Sequence, residues 1–414
     1  MSARVKNIAL AILSFVVTYL AAELLFSYCY VNGLINKPSR DGWYFEELGN
    51  TVHFDPVIGY KLTSTPSNTL RISNNEVEYT GIFKGNNQGF QDRDDFFPER
   101  HDPHALRIAI VGDSFSTEQF MAINWPDKVE DIARSKPQAP PLQLLNLSLY
   151  SGGLVNWRNI VTQVLDKENY QVDALVFPVF ANDLFRPFMI FEARNQNKLL
   201  IGNAGWDPEN LPATYEDAMP LLSPSEGHIF THTQWQAFTR GEWHPELPRP
   251  WQAYMSASLK FLSQIAWQKT GEWLSNPREK FSLYQASRSM NQTLNTNSPA
   301  TIDDSLSRGR FSVQHLRLIH DIKQYAEKNH LPVFVIRIPD KNEAVNQLPI
   351  AGNVAEFSEI LGAQLLDGAG AFSNLTPAQK QALYFPYDGH WNQEGSDRFA
   401  RYIYPEIMEV MLRK

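Results

Sequence analysis

The sequence predicts an α/β fold with a parallel sheet, because short apolar runs alternate with amphipathic helices in two parts of the chain. The runs that are typical of fully buried strands are 106–111, 142–147, 174–179, 333–338 and 364–366. Residues 157–168 and 313–328 carry apolar side chains at helical spacing, so a helix is expected in each. A last amphipathic helix is predicted from residue 393 onward, and Pro405 is expected to kink or split it.

The alternation stops over residues 186–310, which hold six of the ten tryptophans and long polar segments. We therefore expect one core that is interrupted by a mainly helical or irregular insertion, which a chain of 414 residues is long enough to contain. The predicted parts are an N-terminal anchor at 1–31, an extension of turns and short strands at 32–105, the first part of the core at 106–185, the insertion at 186–310 and the second part of the core at 311–414.

Composition excludes several classes of function. The net charge of −8 and the absence of a long basic run are not what a nucleic-acid-binding protein shows. Cys29 is the single cysteine, so neither a disulfide framework nor a cysteine-based metal site is possible.

The first thirty residues predict an uncleaved signal anchor. Arg4 and Lys6 precede an apolar run over 8–30, close to the ~20 residues that span a bilayer, and no small-residue cleavage site is clear. We expect a single-pass membrane protein whose main part lies outside the cytoplasm, in a periplasmic compartment. Glu23 within this run would be costly in a bilayer and is expected against a partner helix or near the interface.

The tripeptide Gly112-Asp113-Ser114 directly follows the strand predicted at 106–111. Functional sites of open parallel sheets form at the carboxyl ends of the strands. A serine there, just before a helix, presents its hydroxyl above the sheet beside backbone N–H groups that stabilise negative charge. Ser114 is therefore the candidate nucleophile, although the same tripeptide also occurs as an ordinary turn or helix cap.

Asp388 and His390 are the candidate partners of this serine. They are two residues apart, so in an extended loop both side chains can point the same way. Serine is a poor nucleophile unless a base takes its proton, and a carboxylate that fixes the imidazole tautomer leaves the other ring nitrogen for that task. The alternative is a surface loop with a capping aspartate and an incidental histidine.

Two further segments follow predicted strands. Ser151-Gly152-Gly153 comes after the second strand, and Asn182-Asp183 comes after the third. A glycine N–H and an asparagine side-chain amide are suitable donors to an oxyanion, although both residues are also common in turns.

Together these segments resemble the SGNH (or GDSL) hydrolase family, whose four blocks supply Ser, Gly, Asn and His in that order. The matching residues are Ser114 in Gly-Asp-Ser-Phe-Ser, Gly152 or Gly153 in Tyr-Ser-Gly-Gly, Asn182 in Ala-Asn-Asp and His390 in Asp-Gly-His-Trp-Asn. The resemblance covers the core and implies a flavodoxin-like three-layer sandwich with five parallel strands. It also implies ester hydrolysis or acyl transfer through an acyl-serine intermediate, which needs no cofactor or metal.

The resemblance assigns site residues as well. Ser114 N–H, Gly152 N–H and the Asn182 side chain would form the oxyanion hole, and the possible substrate-lining residues are Asp113, Gly153 and Trp391. The chain departs from the family pattern in two places, because Phe180 stands where glycine is usual and Asp388 lies two residues before His390 rather than three. The bulk of Phe180 puts the oxyanion hole in doubt.

The two-residue spacing is similar to that of membrane-tethered periplasmic proteins that O-acetylate alginate and related polysaccharides. This similarity implies an acylated saccharide as substrate and a membrane-bound acyltransferase as a possible partner. Two other functions remain open, a non-catalytic module that binds polysaccharide or docks an acyltransferase, and a lipid esterase at the membrane surface.

Other polar residues are weaker candidates. His228 and His232 are four apart, with His244 as a possible third ligand, but no complete zinc motif is present. Lys341, Arg337 and Arg186 follow or end predicted strands, where they would either hold an anionic substrate group or form structural ion pairs.

Overall fold

The computed structural model describes residues 3–31, 41–47, 51–74, 76–193, 199–224, 228–243, 245 and 311–412. By its internal contacts the chain divides into two compact units, Met1–Asp41 with Phe238–Asp303 and Gly42–Ala237 with Asp304–Lys414. Residues 246–310 of the predicted insertion lie outside the described residues, as does His244.

The described residues form fourteen strands and eleven α-helices. The strands are β1 (Gly42–Glu46), β2 (Val52–Asp55), β3 (Gly59–Leu62), β4 (Ser67–Ser73), β5 (Glu76–Phe83), β6 (Leu106–Ile110), β7 (Leu142–Asn146), β8 (Ala174–Val179), β9 (Met189–Glu192), β10 (Leu200–Asn203), β11 (Leu222–Pro224), β12 (His228–Phe230), β13 (Val333–Arg337) and β14 (Gln364–Asp367). The α-helices are α1 (Ala3–Val31), α2 (Ser114–Thr117), α3 (Trp125–Arg134), α4 (Leu154–Asn159), α5 (Tyr215–Ala218), α6 (His232–Thr239), α7 (Val313–Lys328), α8 (Lys341–Asn346), α9 (Gly352–Leu361), α10 (Pro377–Ala382) and α11 (Gln393–Leu412).

The central sheet has five parallel strands in the order β14-β13-β8-β6-β7. Each of these strands overlaps one of the apolar runs in the sequence, so the predicted α/β fold with a parallel sheet is confirmed. Counted along the core alone, the strand order is 2-1-3-4-5, the flavodoxin-like order. In such sheets the ligand site lies at the switch point between the first and third strands, which here are β6 and β8.

Side chains of the central strands alternate between two apolar layers. Ile108 and Ile110 of β6 pack with α3 and α11 on one face, and Ala109 packs with α4, α7 and α9 on the other. Alternation of this kind is the period-two geometry of a strand that is buried on both faces. The helix that contains Pro405 runs unbroken from Gln393 to Leu412, so the expected split is absent.

The predicted extension at 32–105 contributes a second sheet. Its strands have the order β12-β1-β4-β5, with β1, β4 and β5 antiparallel and β12 parallel to β1. The strand β12 comes from the predicted insertion, and the described part of that insertion also forms the small sheet β11-β10-β9. The described insertion is thus richer in strands than expected.

The prediction of a membrane anchor at 1–31 is wrong. Residues Ala3–Val31 form one helix, but within the ranges described above no helix combines the length and the apolar character that crossing a membrane requires. Glu23 and several hydroxyl-bearing residues interrupt the run at 8–30, and a charged side chain inside a bilayer is costly. The single-pass membrane location that followed from the anchor is corrected with it.

Candidate active site

Ser114 lies at the predicted edge of the sheet. Strand β6 ends at Ile110, and after Val111-Gly112-Asp113 the short helix α2 begins at Ser114 itself. Asp113 is the N-cap of α2, because its Oδ1 accepts a hydrogen bond from Phe115 N at 2.9 Å. Ser114 is 5% exposed, so the candidate nucleophile is almost fully buried.

The structure brings Ser114, His390 and Asp388 together. Ser114 Oγ lies 2.8 Å from His390 Nε2. The other ring nitrogen, Nδ1, is hydrogen-bonded to Asp388 Oδ1, which also accepts from the backbone N–H of His390 at 3.0 Å. This contact fixes the tautomer that leaves Nε2 free to accept the serine proton.

The ionisation of the pair follows from this contact. Burial lowers the pKa of His390, but the charge and hydrogen bond of Asp388 outweigh burial, so the net pKa is raised above 6.5. For Asp388, burial raises the pKa, while the charge of His390 and hydrogen bonds from His390 and Tyr79 lower it below its ordinary value. Asp388 is therefore ionised at neutral pH, and His390 is a stronger base than a free imidazole.

Strand β5 of the extension holds the Asp388 loop. Tyr79 donates its hydroxyl proton to Asp388 Oδ2 at 2.6 Å. Glu78 Oε1 accepts the backbone N–H groups of Tyr387 and Asp388, at 2.6 and 2.9 Å. The side-chain and backbone atoms of Asp388 are thus both fixed from a sheet that lies outside the α/β core.

Glu118 contacts three segments next to the site through its buried carboxyl group. It is fully buried at the end of α2, where its backbone takes a positive φ of 44°. Its carboxyl group accepts from Trp391 Nε1, from Trp125 N at 2.7 Å and from Ser396 Oγ at 2.7 Å. Burial raises the pKa of Glu118 to about 8 against these hydrogen bonds. This side chain therefore ties the serine helix to the histidine loop and to α11.

Aromatic rings surround the imidazole. Phe115 and Phe120 have ring centroids 4.5 and 4.9 Å from that of His390. Trp391, expected as a substrate-lining residue, is 0% exposed and packs between Phe115 and Phe399. Trp391 therefore lies in the core and has no exposed surface.

The expected oxyanion donors are differently placed. Ser114 N–H has no acceptor among the described residues, and the Asn182 side chain is exposed without a hydrogen bond to them. Gly152 N–H, by contrast, donates to Leu149 O at 2.8 Å. Phe180 packs its ring 5.5 Å from that of Phe115. Of the three expected donors, Gly152 N–H is thus the one already hydrogen-bonded within the described residues.

A buried charge cluster lies beside the serine. Asp113 Oδ2 is 3.2 Å from Ser114 Oγ and 3.4 Å from Arg186 Nη1, which is also 2.6 Å from Asp183 Oδ1. Burial raises the pKa of Asp183 well above its ordinary value, and the charge of Arg186 acts against that rise. Gly153 approaches the same arginine, because a Cβ at position 153 would lie 2.5 Å from Arg186 O. Asp113 and Gly153 therefore both contact Arg186, beside the serine.

The remaining sequence candidates form structural contacts. His228 lies in β12 and His232 begins α6, so the two do not share a helix. His228 stacks on Tyr44 of β1, and His232 pairs with Glu46 at 2.6 Å. The described residues contain no group of three metal-ligating side chains. Arg337 is buried and pairs with Asp367 at 3.2 Å, while Lys341 Nζ donates to Phe385 O and Pro386 O at 3.1 and 2.9 Å.

Tyr79, Glu78 and Glu118 were missed from the sequence. Tyr79 and Glu78 lie about 310 residues from the loop that they hold, as the separations of 309 and 310 between partners show. Nothing in a single sequence links residues so far apart. Glu118 carries one local signal, since a glutamate four residues after the candidate serine lies on the same side of a short helix.

Comparisons with known proteins give weak likenesses. No family model matches the chain, and no curated protein matches it. Among solved structures, an alpha/beta hydrolase enzyme from the metagenome of Lake Arreo shares 10% identity at a TM-score of 0.33, covering 72% of this chain and 93% of its own. A GDSL-like lipase from Bacteroides thetaiotaomicron shares 8% identity at a TM-score of 0.30, covering 76% and 93%.

An acetyl xylan esterase from Geobacillus stearothermophilus shares 10% identity at a TM-score of 0.31, covering 73% of this chain and 94% of its own. Likenesses at this level assign neither family nor activity to the chain. What the described residues offer on their own is a serine, a histidine and an aspartate in hydrogen-bonding sequence at the switch point of a parallel sheet.

Proposed function

We propose that this protein is a serine-dependent esterase or acyltransferase that works through an acyl-Ser114 intermediate. The observation that carries the proposal is the 2.8 Å contact between Ser114 Oγ and His390 Nε2, with Asp388 hydrogen-bonded to the opposite ring nitrogen. Serine becomes a competent nucleophile when a base of this kind can take its proton.

The first half of the proposed reaction is acylation. His390 Nε2 takes the proton from Ser114 Oγ as the oxygen attacks the ester carbonyl carbon, and Asp388 stabilises the imidazolium that forms. His390 then gives this proton to the leaving alcohol oxygen, and the acyl group remains on Ser114. Ser114 N–H and the Asn182 side chain are the proposed donors to the tetrahedral oxyanion.

The second half transfers the acyl group to an acceptor. His390 takes a proton from water or from a saccharide hydroxyl as the acceptor oxygen attacks the acyl-serine carbonyl. The bond between the acyl carbon and Ser114 Oγ then breaks, and His390 returns the proton to that oxygen. We propose an acylated saccharide as the substrate class. It is supported by the half-buried ring of Tyr150, which meets that of Trp43 edge to face at 6.2 Å. Flat aromatic faces of this kind pack well against the apolar faces of sugar rings.

One observation favours the alternative of a non-catalytic binding module. The Gly152 N–H group, expected in the oxyanion hole, is already bonded to Leu149 O at 2.8 Å. Removing one oxyanion donor typically costs about 10²- to 10³-fold in kcat. A slow esterase and a binding module are therefore the two outcomes that an activity measurement has to separate.

The test uses the full chain, its Ser114→Ala variant and a Ser135→Ala control on the surface of the core. Each is mixed with a small chromogenic acetate ester and with a fluorophosphonate that labels activated serines. We expect turnover and labelling of Ser114 in the parent and in Ser135→Ala, and neither in Ser114→Ala. A folded parent that neither turns over nor is labelled would overturn the enzymatic proposal.

A further inference from the structure

Three side chains of the N-terminal sheet form a row across adjacent strands. Trp43 in β1 is paired with Arg71 in β4, and Arg71 is paired with Tyr79 in β5. Side chains at directly paired positions lie on the same face of a sheet. Trp43, Arg71 and Tyr79 therefore share one face, with the arginine in the middle.

This face covers the candidate active site. Tyr79, at one end of the row, bonds Asp388 at 2.6 Å. Next to it, Ile82 N donates to Gln119 O at 2.7 Å, and a Cβ at Gly81 would lie 2.7 Å from the same oxygen. The sheet is thus packed directly on the segment that follows Ser114, and Arg71 is one strand away from a residue that touches the histidine's aspartate.

Arg71 lacks an acidic partner. Among the described residues no carboxylate lies within ion-pair distance of it, and its Nε is buried without a hydrogen bond. Its guanidinium carbon lies 5.5 Å from the Trp43 ring centroid, so its neighbour on that side is an aromatic face. A buried guanidinium N–H without an acceptor is costly, and a planar fork of donors is suited to carboxylate, phosphate or sulfate oxygens.

The acidic groups of the site are already committed to other donors. Asp388 is bonded by His390 and Tyr79, and Asp113 is bonded by Phe115 N and faces Arg186. Arg186 is itself paired with Asp183 at 2.6 Å. Of the two arginines next to the site, Arg71 is therefore the one whose donors remain for a ligand.

We propose that Trp43 and Arg71 form a substrate subsite in which Arg71 binds an anionic group carried by the ester substrate. The anionic group is a carboxylate, phosphate or sulfate, and Trp43 packs against the apolar surface next to it. That the substrate is an ester rests on the proposed function. That it carries a negative charge is inferred from Arg71, unpaired among the described residues, in the row of Trp43, Arg71 and Tyr79.

The first experiment compares three chromogenic esters in the full chain. They are 4-nitrophenyl acetate, which is neutral, 4-nitrophenyl hydrogen succinate, with a carboxylate on the acyl side, and 3-acetoxy-4-nitrobenzoate, with a carboxylate on the leaving group. We expect kcat/KM to be higher for one of the anionic esters, which also identifies the side that carries the anion. Arg71→Gln should reduce that preference by about tenfold or more, because a charge-assisted bidentate contact is lost.

The controls separate charge from folding. The neutral ester reports whether Arg71→Gln is folded, and Arg71→Lys should keep part of the preference. Arg401→Gln removes a surface arginine that pairs with Asp397 at 3.5 Å. A preference for the anionic ester that survives in Arg71→Gln would overturn the proposal, and so would an equal loss on all three esters.

The second experiment needs no turnover, so it separates failure of the subsite from failure of the esterase. Benzoate and benzyl alcohol are titrated into Ser114→Ala and into Ser114→Ala with Arg71→Gln, with binding followed by saturation-transfer NMR. We expect benzoate to bind the first protein more tightly than benzyl alcohol does, and to lose that advantage in the second. Equal binding of benzoate to both proteins, or to neither, would overturn the subsite even if esters are hydrolysed.

Discussion

The hydroxyl oxygen of Tyr79 lies 2.6 Å from Asp388 Oδ2, on the oxygen opposite the one that holds His390. Tyr79, Asp388, His390 and Ser114 therefore form one continuous chain of hydrogen bonds. Its first member comes from the N-terminal sheet and the others come from the α/β core. The extension thus contributes to the orientation of the candidate base, and the α/β core alone does not supply all the contacts of the site.

Tyr79→Phe should lower kcat/KM by about tenfold, since a hydrogen bond to a charged group contributes about 1.5–3 kcal/mol. Loss of the donor also leaves more negative charge on Asp388, which strengthens its hold on the imidazolium proton. The pKa of His390 should rise, and the acid limb of the kcat/KM profile should move to higher pH. The measurement is that pH profile in the parent and in the variant.

Tyr170→Phe is the matched control, because Tyr170 packs on Arg107 and its hydroxyl has no hydrogen-bond partner in the described structure. A profile of Tyr79→Phe that is lowered without any displacement along the pH axis would mean that Tyr79 acts through packing alone.

The pH dependence of the parent follows from the same contacts. The imidazole must be neutral to take the serine proton, and Asp388 raises the pKa of His390 above 6.5 against the effect of burial. Activity should therefore fall as the pH is lowered, with a midpoint above 6.5 and a slope of one proton. A midpoint below the ordinary histidine value would show that burial outweighs the aspartate.

Sequence reasoning worked for the core because its signals are local. An apolar run such as 174–179 has the length of a strand and is too short for a typical helix, which favours a buried strand. The glycine and serine that follow β6 mark the carboxyl end of that strand. The order of the strands then placed Ser114 and His390 at one edge. The relationships of Tyr79 and Glu78 to Asp388 could not be found in this way, because they depend on the packing of one sheet on another.

Two predictions from the sequence, the membrane anchor and the position of Trp391, were wrong. The length and average hydrophobicity of 8–30 favour a membrane anchor, but Glu23 lies inside this run. Trp391 was expected near the substrate because of its neighbour in the sequence. Adjacent residues in a turn often point to opposite sides, and here His390 faces the serine while the tryptophan fills the core.

Glu78 should act as a clamp on the backbone of the aspartate loop. Its Oε1 accepts two backbone N–H groups, so Glu78→Gln, which keeps a carbonyl oxygen, should retain most of the activity. Glu78→Ala should lower kcat by more than it changes KM, because the loop carries the base and not the substrate. Steady-state kinetics of the two variants distinguish this role, and equal losses in both would point to the charge of Glu78 instead.

Glu118 should support stability as well as geometry. Glu118→Ala leaves the donors Trp391 Nε1, Trp125 N and Ser396 Oγ without their buried acceptor, which should reduce the free energy of unfolding by about 3–5 kcal/mol. Glu118→Gln keeps one carbonyl acceptor and should cost less. Urea unfolding of the three proteins at pH 6 measures both effects.

Glu118 also predicts a pH dependence of that stability. Burial raises its pKa from 4.5 to about 8, so between these values the folded chain binds more protons than the unfolded chain. The free energy of unfolding should then fall as pH rises from about 4.5 through about 8, and this contribution should be absent in Glu118→Gln. A parent whose stability falls no faster than that of Glu118→Gln would show that the carboxyl group stays ionised under its three donors.

Substitution by alanine should be damaging at Gly153 and harmless at Gly389, two glycines next to the site. A Cβ at Gly153 would lie 2.4 Å from Cβ and 2.5 Å from O of Arg186, whereas a Cβ at Gly389 meets nothing within 4 Å. Gly153→Ala must push the backbone of residue 186 away, and Arg186 pairs with Asp183 and Asp113 beside the serine. We expect Gly153→Ala to reduce the free energy of unfolding by about 1–3 kcal/mol, as overpacking does, and to lower kcat.

Gly389→Ala, next to His390, is the control and should leave the free energy of unfolding and kcat unchanged within error. If Gly389→Ala is the more damaging of the two, then the histidine loop has to move during the reaction, and the open space beside Gly389 is what allows that motion.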